Sequence, residues 1–169
     1  MDFETERLLI RPTIVEDASF FLKLMNTPQW IQNIGDRNLH SINDATHYIL
    51  AKMIPQYQKF GYSNNTVIRK SDNTIIGSCG LYKRDGMDCV DLGFAFLPEF
   101  QKKGYAYESS KKLVEMAFTY HKLDKLKAIT IKENTNSQNL LTKLGFKHIG
   151  FFKVPNEVDD LLVFELGNF

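Results

Sequence analysis

The sequence predicts an α+β domain. Three observations carry this. Two stretches with helical spacing follow one short apolar run near the start. Three β-like runs joined by short turns fill the middle. A helix led by two lysines and a glycine opens the second half. Read in order, the elements are strand, two helices, three-stranded meander, helix, strand, helix and two strands, about seven strands in all.

Leu8-Leu9-Ile10, between Arg7 and Arg11-Pro12, is a short strand stopped by proline. Glu16-Asp17 open a helix on which Phe20, Phe21, Leu24 and Met25 recur at helical spacing, and Asn26-Thr27-Pro28 ends it. Asn33 to Asn38 reads as a loop. Ser41, followed by Asp44, outlines the N-terminal cap of a second helix. That helix runs through Tyr48, Ile49, Met53 and Tyr57 to Gly61, with Pro55 placed to kink or interrupt it. Thr66 to Arg69, Thr74 to Tyr82 and Val90 to Leu97 are the meander strands, with turns at Lys70 to Asn73 and at Arg84 to Gly86. A helix carrying Leu113, Met116, Ala117 and Tyr120 follows, then a strand from Leu126 to Ile131. Ser137 to Leu144 is a short helix closed by Gly145. Phe146 to Lys153 and Leu161 to Leu166 are the last strands, joined by the loop Pro155 to Asp160.

The length of 169 residues suits one domain spanning 1–169. With 43% apolar and 24% charged residues, the chain holds enough material for a core without a disulfide or metal staple. A net charge of +1 provides no global field, so no nucleic-acid partner is expected. The opening Met1 to Arg7 is polar, and no apolar run approaches the ~18 residues of a membrane span. A cytoplasmic protein with no membrane partner is the expectation. Cys79 and Cys89 lie in strand-like runs and read as buried thiols of a reducing compartment. His40, His47, His121 and His148 are scattered, and no metal site is expected.

The most informative segment runs from Leu92 to Ala106. A strand ends, a short loop follows, and a helix starts at Gly104 with Lys102 and Lys103 before it. Helix starts leave N–H groups without partners and carry partial positive charge, which suits a phosphate. Gly104 lets the backbone approach a pyrophosphate closely. Lys111 and Lys112 lie further along the helix, within reach of a peripheral phosphate. The segment has neither the Walker nor the Rossmann glycine spacing. Taken alone, it is equally a solvated, lysine-rich loop capping an ordinary helix.

Gln101-Lys102-Lys103-Gly104-Tyr105-Ala106 resembles the coenzyme A loop of GNAT acetyltransferases, Arg/Gln-x-x-Gly-x-Gly/Ala. Ile76 to Asp85, followed by Asp91-Leu92-Gly93-Phe94, resembles the RimJ/RimL-like branch, which contains ribosomal-protein N-terminal acetyltransferases. Asn134-Thr135-Asn136-Ser137, then Leu140 to Phe146, resembles that branch's Asn-x-x-Ser-x-x-Leu-x-x-Lys-x-Gly-Phe motif. The opening Thr5 to Pro12 is similar as well. The resemblance implies the GNAT fold, with a mixed, mostly antiparallel sheet flanked by helices, and acetyl-CoA as co-substrate.

It also implies a role for each motif. The backbone at Phe94, Ala95 and Phe96 would bond the pantetheine arm, one N–H polarising the thioester carbonyl. Gln101, Lys102, Lys103, Gly104, Tyr105 and Ala106 would take the pyrophosphate, mostly through main-chain N–H groups. Tyr107 stands where relatives often carry threonine. Glu108 reads as a carboxylate favoured by the helix start. Asn134 would lie against the coenzyme arm and Ser137 near its sulfur, supplying a proton to the departing thiolate. As a local reading, Asn134, Asn136 or Ser137 merely caps a helix. Many GNAT enzymes place a tyrosine acid further along that helix, and Ser137 to Leu144 contains none.

The acceptor amine must attack in its neutral form, and a lysine amine titrates at ~10.4 and an α-amine at ~8. Asp91, at the head of the strand leading to the thioester, is the candidate base, ahead of Asp88 and Asp85. A surface turn carboxylate is the alternative for all three. Trp30, Arg37 and the loop Pro155 to Asp160 are candidates to line the acceptor pocket. The expectation is direct attack on the acetyl thioester in a ternary complex, since no Cys–His pair is evident for an acyl-enzyme. The acceptor would be a protein N-terminus or a small amine, and the protein a monomer or homodimer. The alternatives are an antibiotic or polyamine acetyltransferase, or a non-catalytic acyl-CoA-binding sensor. A nucleic-acid-binding module using the lysine cluster would bind in a strongly salt-dependent way, and the near-neutral charge speaks against it.

Overall fold

The computed structural model describes residues 1–84, 86–153 and 160–167. Its strands are β1 (Phe3–Glu4), β2 (Leu8–Pro12), β3 (Asn64–Arg69), β4 (Thr74–Lys83), β5 (Val90–Phe96), β6 (Lys125–Thr130), β7 (Lys147–Phe152) and β8 (Leu161–Gly167). They form one eight-stranded sheet in the order β1-β2-β3-β4-β5-β6-β8-β7. The two-residue β1 is the strand beyond those expected; it pairs Phe3 with Ile10 and Glu4 with Leu9. Every pairing is antiparallel except β5 with β6.

The helices are α1 (Ala18–Met25), α2 (Pro28–Ile34), α3 (Ile42–Tyr48), α4 (Ile54–Phe60), α5 (Tyr105–Thr119) and α6 (Thr135–Lys143). α2 differs from the sequence expectation, in which Pro28 ends the preceding helix and no helix follows it before Ser41. Thr27 caps this helix, its hydroxyl accepting from the Trp30 N–H at 3.3 Å, and Pro28 occupies the first turn. A proline there costs no hydrogen bond, so it is a start signal as well as a stop signal. Ser41 caps α3 as expected, its hydroxyl accepting from the Asp44 N–H at 3.1 Å. Pro55 falls in the first turn of α4, and one π-type turn, Ile49–Met53, joins α3 to α4 ahead of it. Such a turn absorbs the proline without breaking the helical path. α6 ends in the expected glycine closure: the Phe146 N–H reaches the Leu141 carbonyl at 3.0 Å and the Gly145 N–H reaches Thr142 at 3.0 Å.

The sheet is packed on both faces. On one face, Leu113 and Ala117 of α5 and Leu141 of α6 join Ile10, Cys79, Leu81, Leu92 and Phe96 in the larger core. On the other, Phe21 and Leu24 of α1 pack with Ala45, Ile49 and Met53 and with Leu97. The alternation of side chains along a strand decides which face each β5 residue serves. Leu92, Phe94 and Phe96 belong with the α5 core, whereas Ala95 packs against the α1 side.

Candidate active site

β5 is the strand on which the site is built. It pairs with β4 along its whole length, from Gly77↔Phe96 to Lys83↔Val90. On its other edge it pairs with β6 only at Val90↔Leu126 and Asp91↔Lys127. Beyond Asp91 the two strands part, and the β5 edge lies open. Residues along an antiparallel strand direct their N–H and C=O alternately to one neighbour and the other. The Leu97 N–H bonds the Ile76 carbonyl on β4, so the main-chain groups of Phe94 and Phe96 belong to the open edge. The main-chain groups of Ala95, named with these two in the sequence expectation, face β4 instead. Gln101 closes the far end of the open edge, its amide donating to the Phe96 carbonyl at 2.8 Å.

The loop from Gln101 to Gly104 delivers the chain into α5. Gly104 is the N-cap, at φ 84° and ψ −4°. In this left-handed conformation a side chain would be strained. Lys102 also has a positive φ, of 58°. Glu108 donates its N–H to the Gly104 carbonyl at 3.0 Å, the first bond of the helix. The N–H groups of Tyr105, Ala106 and Tyr107 precede that bond, so they have no partner within the helix.

Arg7 fixes this loop from β2's side. It donates to the Lys103 carbonyl at 3.1 Å, pairs with Glu108 at 2.6 Å and stacks over the Tyr105 ring at 4.5 Å. Glu108 also accepts from Thr5 at 2.5 Å. Burial pushes the Glu108 carboxyl up, but the bonds from Thr5 and Arg7 outweigh it and hold the group below its ordinary value. This clamp was not legible in the sequence, because its partners lie about a hundred residues apart in the chain.

A cavity of about 390 Å³ opens between the β5 edge, this loop and α6. Phe94, Ala95 and Phe96 line one wall. Gln101, Lys102, Gly104, Tyr105 and Ala106 line the next, and Asn134 and Ser137 the third. Lys103 is the loop residue that does not line it; its ammonium lies over the Phe100 ring at 5.8 Å. Tyr107 does line it, and Lys143 of α6 stacks on the Tyr107 ring at 4.5 Å, tying the two helices across the cavity. The Asn134 side chain accepts from the Ser137 N–H at 3.1 Å, so Asn134 is the N-cap of α6 as well as part of the wall. Lys112 pairs with Glu115 at 2.8 Å.

A second cavity of about 240 Å³ lies on the α1–α4 side of β5. Trp30, Ile34, Phe94 and Ala95 line both cavities, so the two meet at the middle of β5. Its floor is a buried polar chain that sequence inspection missed. Tyr82 donates to the side-chain Oδ1 of Asn64, which also accepts from Ser78 at 2.8 Å. The Asn64 amide donates to Thr13 at 3.1 Å, Thr13 and Thr66 share a bond of 3.0 Å, and Thr66 donates to Asp17 at 2.8 Å. Arg11 closes the chain by pairing with Asp17 at 2.7 Å. The Tyr82 ring lies across Gly80 and Gly93, where an added Cβ would come within 2.6 Å and 2.9 Å of it. Burial raises the Tyr82 phenol well above its ordinary value, against the nearby Arg84 charge, so it is a neutral donor.

Asp91 lines neither cavity. It is 1% exposed and bound to Arg84, whose Nε donates to Oδ2 at 2.5 Å. Burial pushes its carboxyl up to about 6, against the pull of Arg84. Arg84 is the residue that reaches the wall of the second cavity. Asp88 is exposed and paired with Lys127 at 2.5 Å and Lys125 at 3.2 Å, which bring it down to about 2. Asp85 and residues 154–159 lie outside the described residues. Trp30 and Arg37 line the second cavity. Cys79 is buried, and burial pushes its thiol up to about 12, so it is no nucleophile at neutral pH. Among the described residues, no helix is long and apolar enough to cross a membrane.

The family model described as the acetyltransferase (GNAT) domain matches residues 7–147. The uncharacterized N-acetyltransferase YnaD of Bacillus subtilis is 28% identical over 153 residues, covering 90% of this chain and 86% of that protein. A GNAT-family acetyltransferase from Bacillus anthracis superposes with a TM-score of 0.81 at 24% identity, covering 99% of this chain and 98% of the other. RimL, a ribosomal α-N-protein acetyltransferase solved in complex with coenzyme A, superposes with a TM-score of 0.84 at 13% identity, over 99% and 98% of the two chains. At these identities the solved structures speak for the fold, and the family match speaks for the chemistry. With its parted strands and glycine-led helix start, the chain belongs to the GNAT acetyltransferase domain family, whose members transfer an acetyl group from acetyl-CoA to an acceptor.

Proposed function

We propose that this chain is an N-acetyltransferase of the RimJ/RimL-like kind that acetylates a primary amine by direct attack in a ternary complex. The observation that carries the reading is the meeting of two cavities at Phe94 and Ala95. The larger holds the features that suit a phosphorylated, extended arm: an open strand edge, unpartnered N–H groups at a helix start, and Lys102. The smaller admits the amine from the opposite side. Bound there, acetyl-CoA supplies an activated acetyl thioester.

The residues then divide the work. The main-chain groups of Phe94 and the N–H of Phe96 accept the arm as an added strand and orient the thioester carbonyl. Lys102 and the N–H groups from Gly104 to Tyr107 hold the pyrophosphate. Ser137 lines the arm's cavity and gives a proton to the departing thiolate, regaining one from the attacking nitrogen, which sheds it as the C–N bond forms and the C–S bond breaks. Asp91 is assigned a positioning role rather than that of base, because it has no face on the amine's cavity and is bound to Arg84. By holding Arg84 at the cavity wall, it keeps positive charge beside the amine and favours the neutral form over the ammonium.

Thiol release from acetyl-CoA, measured with amino acids, N-terminal peptides, polyamines and aminoglycosides, tests the reading, alongside a thermal shift with acetyl-CoA alone. Turnover with one amine class is expected. A thermal shift without turnover on any amine would favour an acyl-CoA-binding sensor, and the absence of both signals would refute the coenzyme site.

A further inference from the structure

The second cavity has an excess of hydrogen-bond donors. Trp30 Nε1 and Arg37 Nε are buried without a hydrogen-bond partner, and both residues line it. Either atom can only donate, and an unmet buried donor is costly. Lys52, Lys83 and Arg84 line the same cavity. Of the four cations lining it, Arg37, Lys52, Lys83 and Arg84, only Arg84 has a carboxylate partner among the described residues. No aspartate or glutamate among the described residues lines the cavity. Its two side-chain amide oxygens are already engaged: that of Asn64 by Ser78 and Tyr82, and that of Gln56 by the Lys83 N–H at 3.3 Å.

A ligand that brings only ammonium groups meets like charges here and leaves those donors unmet. A ligand that brings oxygen anions satisfies both demands at once. A planar guanidinium with a free edge matches a carboxylate in particular. The cavity, at about 240 Å³, suits a small molecule. We propose that the acceptor is a small amine carrying a carboxylate near its amino group, an amino-acid-like molecule. Arg37 binds that carboxylate, with Lys52 and the Trp30 N–H beside it. This rests on the reading of the second cavity as the acceptor site. It sets polyamines and aminoglycosides aside, since they are polycations.

Matched pairs test it. Free L-amino acids and their amides differ in the carboxylate alone, and spermidine serves as the polycation. The best amino acid is expected to exceed its amide by about tenfold or more in kcat/KM. In Arg37→Gln that ratio falls toward one, with the loss in KM rather than in kcat. A ratio of one or less in the parent, or spermidine outpacing every amino acid, overturns the proposal. If Arg37→Gln fails to fold, Lys52→Gln, an exposed helical position, is expected to lower the same ratio.

A binding arm separates this inference from the enzymatic one. With coenzyme A present, N-acetyl amino acids and N-acetyl amino amides are compared by thermal shift. A shift with the acid alone, lost in Arg37→Gln, upholds the carboxylate site even if no amine turns over. Equal shifts, or none with any acid, overturn it whatever the turnover shows.

Discussion

Gly104→Glu places the sharpest load on the proposed pyrophosphate cradle. Gly104 has a φ of 84°, so any L side chain there costs about 1–2 kcal/mol of backbone strain. Its Cβ would lie 3.2 Å from Arg7 Nη2, the tip of a flexible side chain that can give by a few tenths of an ångström. Stability should therefore fall by about 1–2 kcal/mol and the fold survive. The effect on coenzyme is separate. A carboxylate about 5 Å from one phosphate charge repels it by about 3 kcal/mol at an effective dielectric near 20. Solvent screening and the nearby Arg7 charge reduce this to about 2 kcal/mol, near thirtyfold in Kd. Gly104→Ala is the control, since it carries the strain without the charge. Titration calorimetry with acetyl-CoA gives the affinities, and urea unfolding gives the stabilities. If the glutamate variant binds acetyl-CoA within about threefold of the alanine variant, the pyrophosphate does not lie at this loop.

The remaining predictions address proton chemistry and the supports of the site. Asp91, near 6 in the folded protein, lies above its unfolded value of ~3.9, so the folded state holds the extra proton between those values. Its contribution to stability is therefore full below about pH 4 and is lost as pH rises through 6, a change of about 2–3 kcal/mol. Asp91→Asn should remove that slope, and parallel urea-midpoint curves for parent and variant between pH 4.5 and 7.5 would refute it. Ser137→Ala should lower kcat by about tenfold or more while leaving acetyl-CoA Kd within about twofold; an unchanged kcat would remove Ser137 from the proton step. Glu108→Gln should cost about 1 kcal/mol, because the Arg7 pair it weakens is partly exposed. The same variant should weaken acetyl-CoA binding a few-fold by loosening Arg7's hold on the Lys103 carbonyl, as read by calorimetry. Asn134→Ala removes the cap of α6 and should cost about 1 kcal/mol in urea unfolding.

Local periodicity determined much of this protein. Phe20, Phe21, Leu24 and Met25 announce α1, Ser41 and Asp44 announce the start of α3, and Gly145 announces the end of α6. Each signal depends on neighbours within a few residues, which is the range of helix capping and side-chain spacing. The glycine-led start of α5 was legible for the same reason. Gln101 to Ala106 is contiguous, and a helix start binds anions through its own backbone. β1 was missed because two residues are too few to show an alternation, and α2 because Pro28 is a stop and a start signal at once.

Only the tertiary structure decided the second cavity and the place of Asp91. Trp30, Arg37, Lys52, Asn64, Tyr82 and Arg84 come from α2, the following loop, the π-type turn and three positions in and just after the central strands. No spacing in the sequence links them, since they converge through packing of helices on a sheet. The aspartate at the head of β5 was visible as a carboxylate. That Arg84 would claim it, and reach the cavity in its stead, followed from the strand pairing that sets Tyr82 opposite Asp91. Sequence determined most of the elements and the motif because those forces are local, whereas the charge lining the second cavity depends on distant side chains that meet only when the sheet is formed.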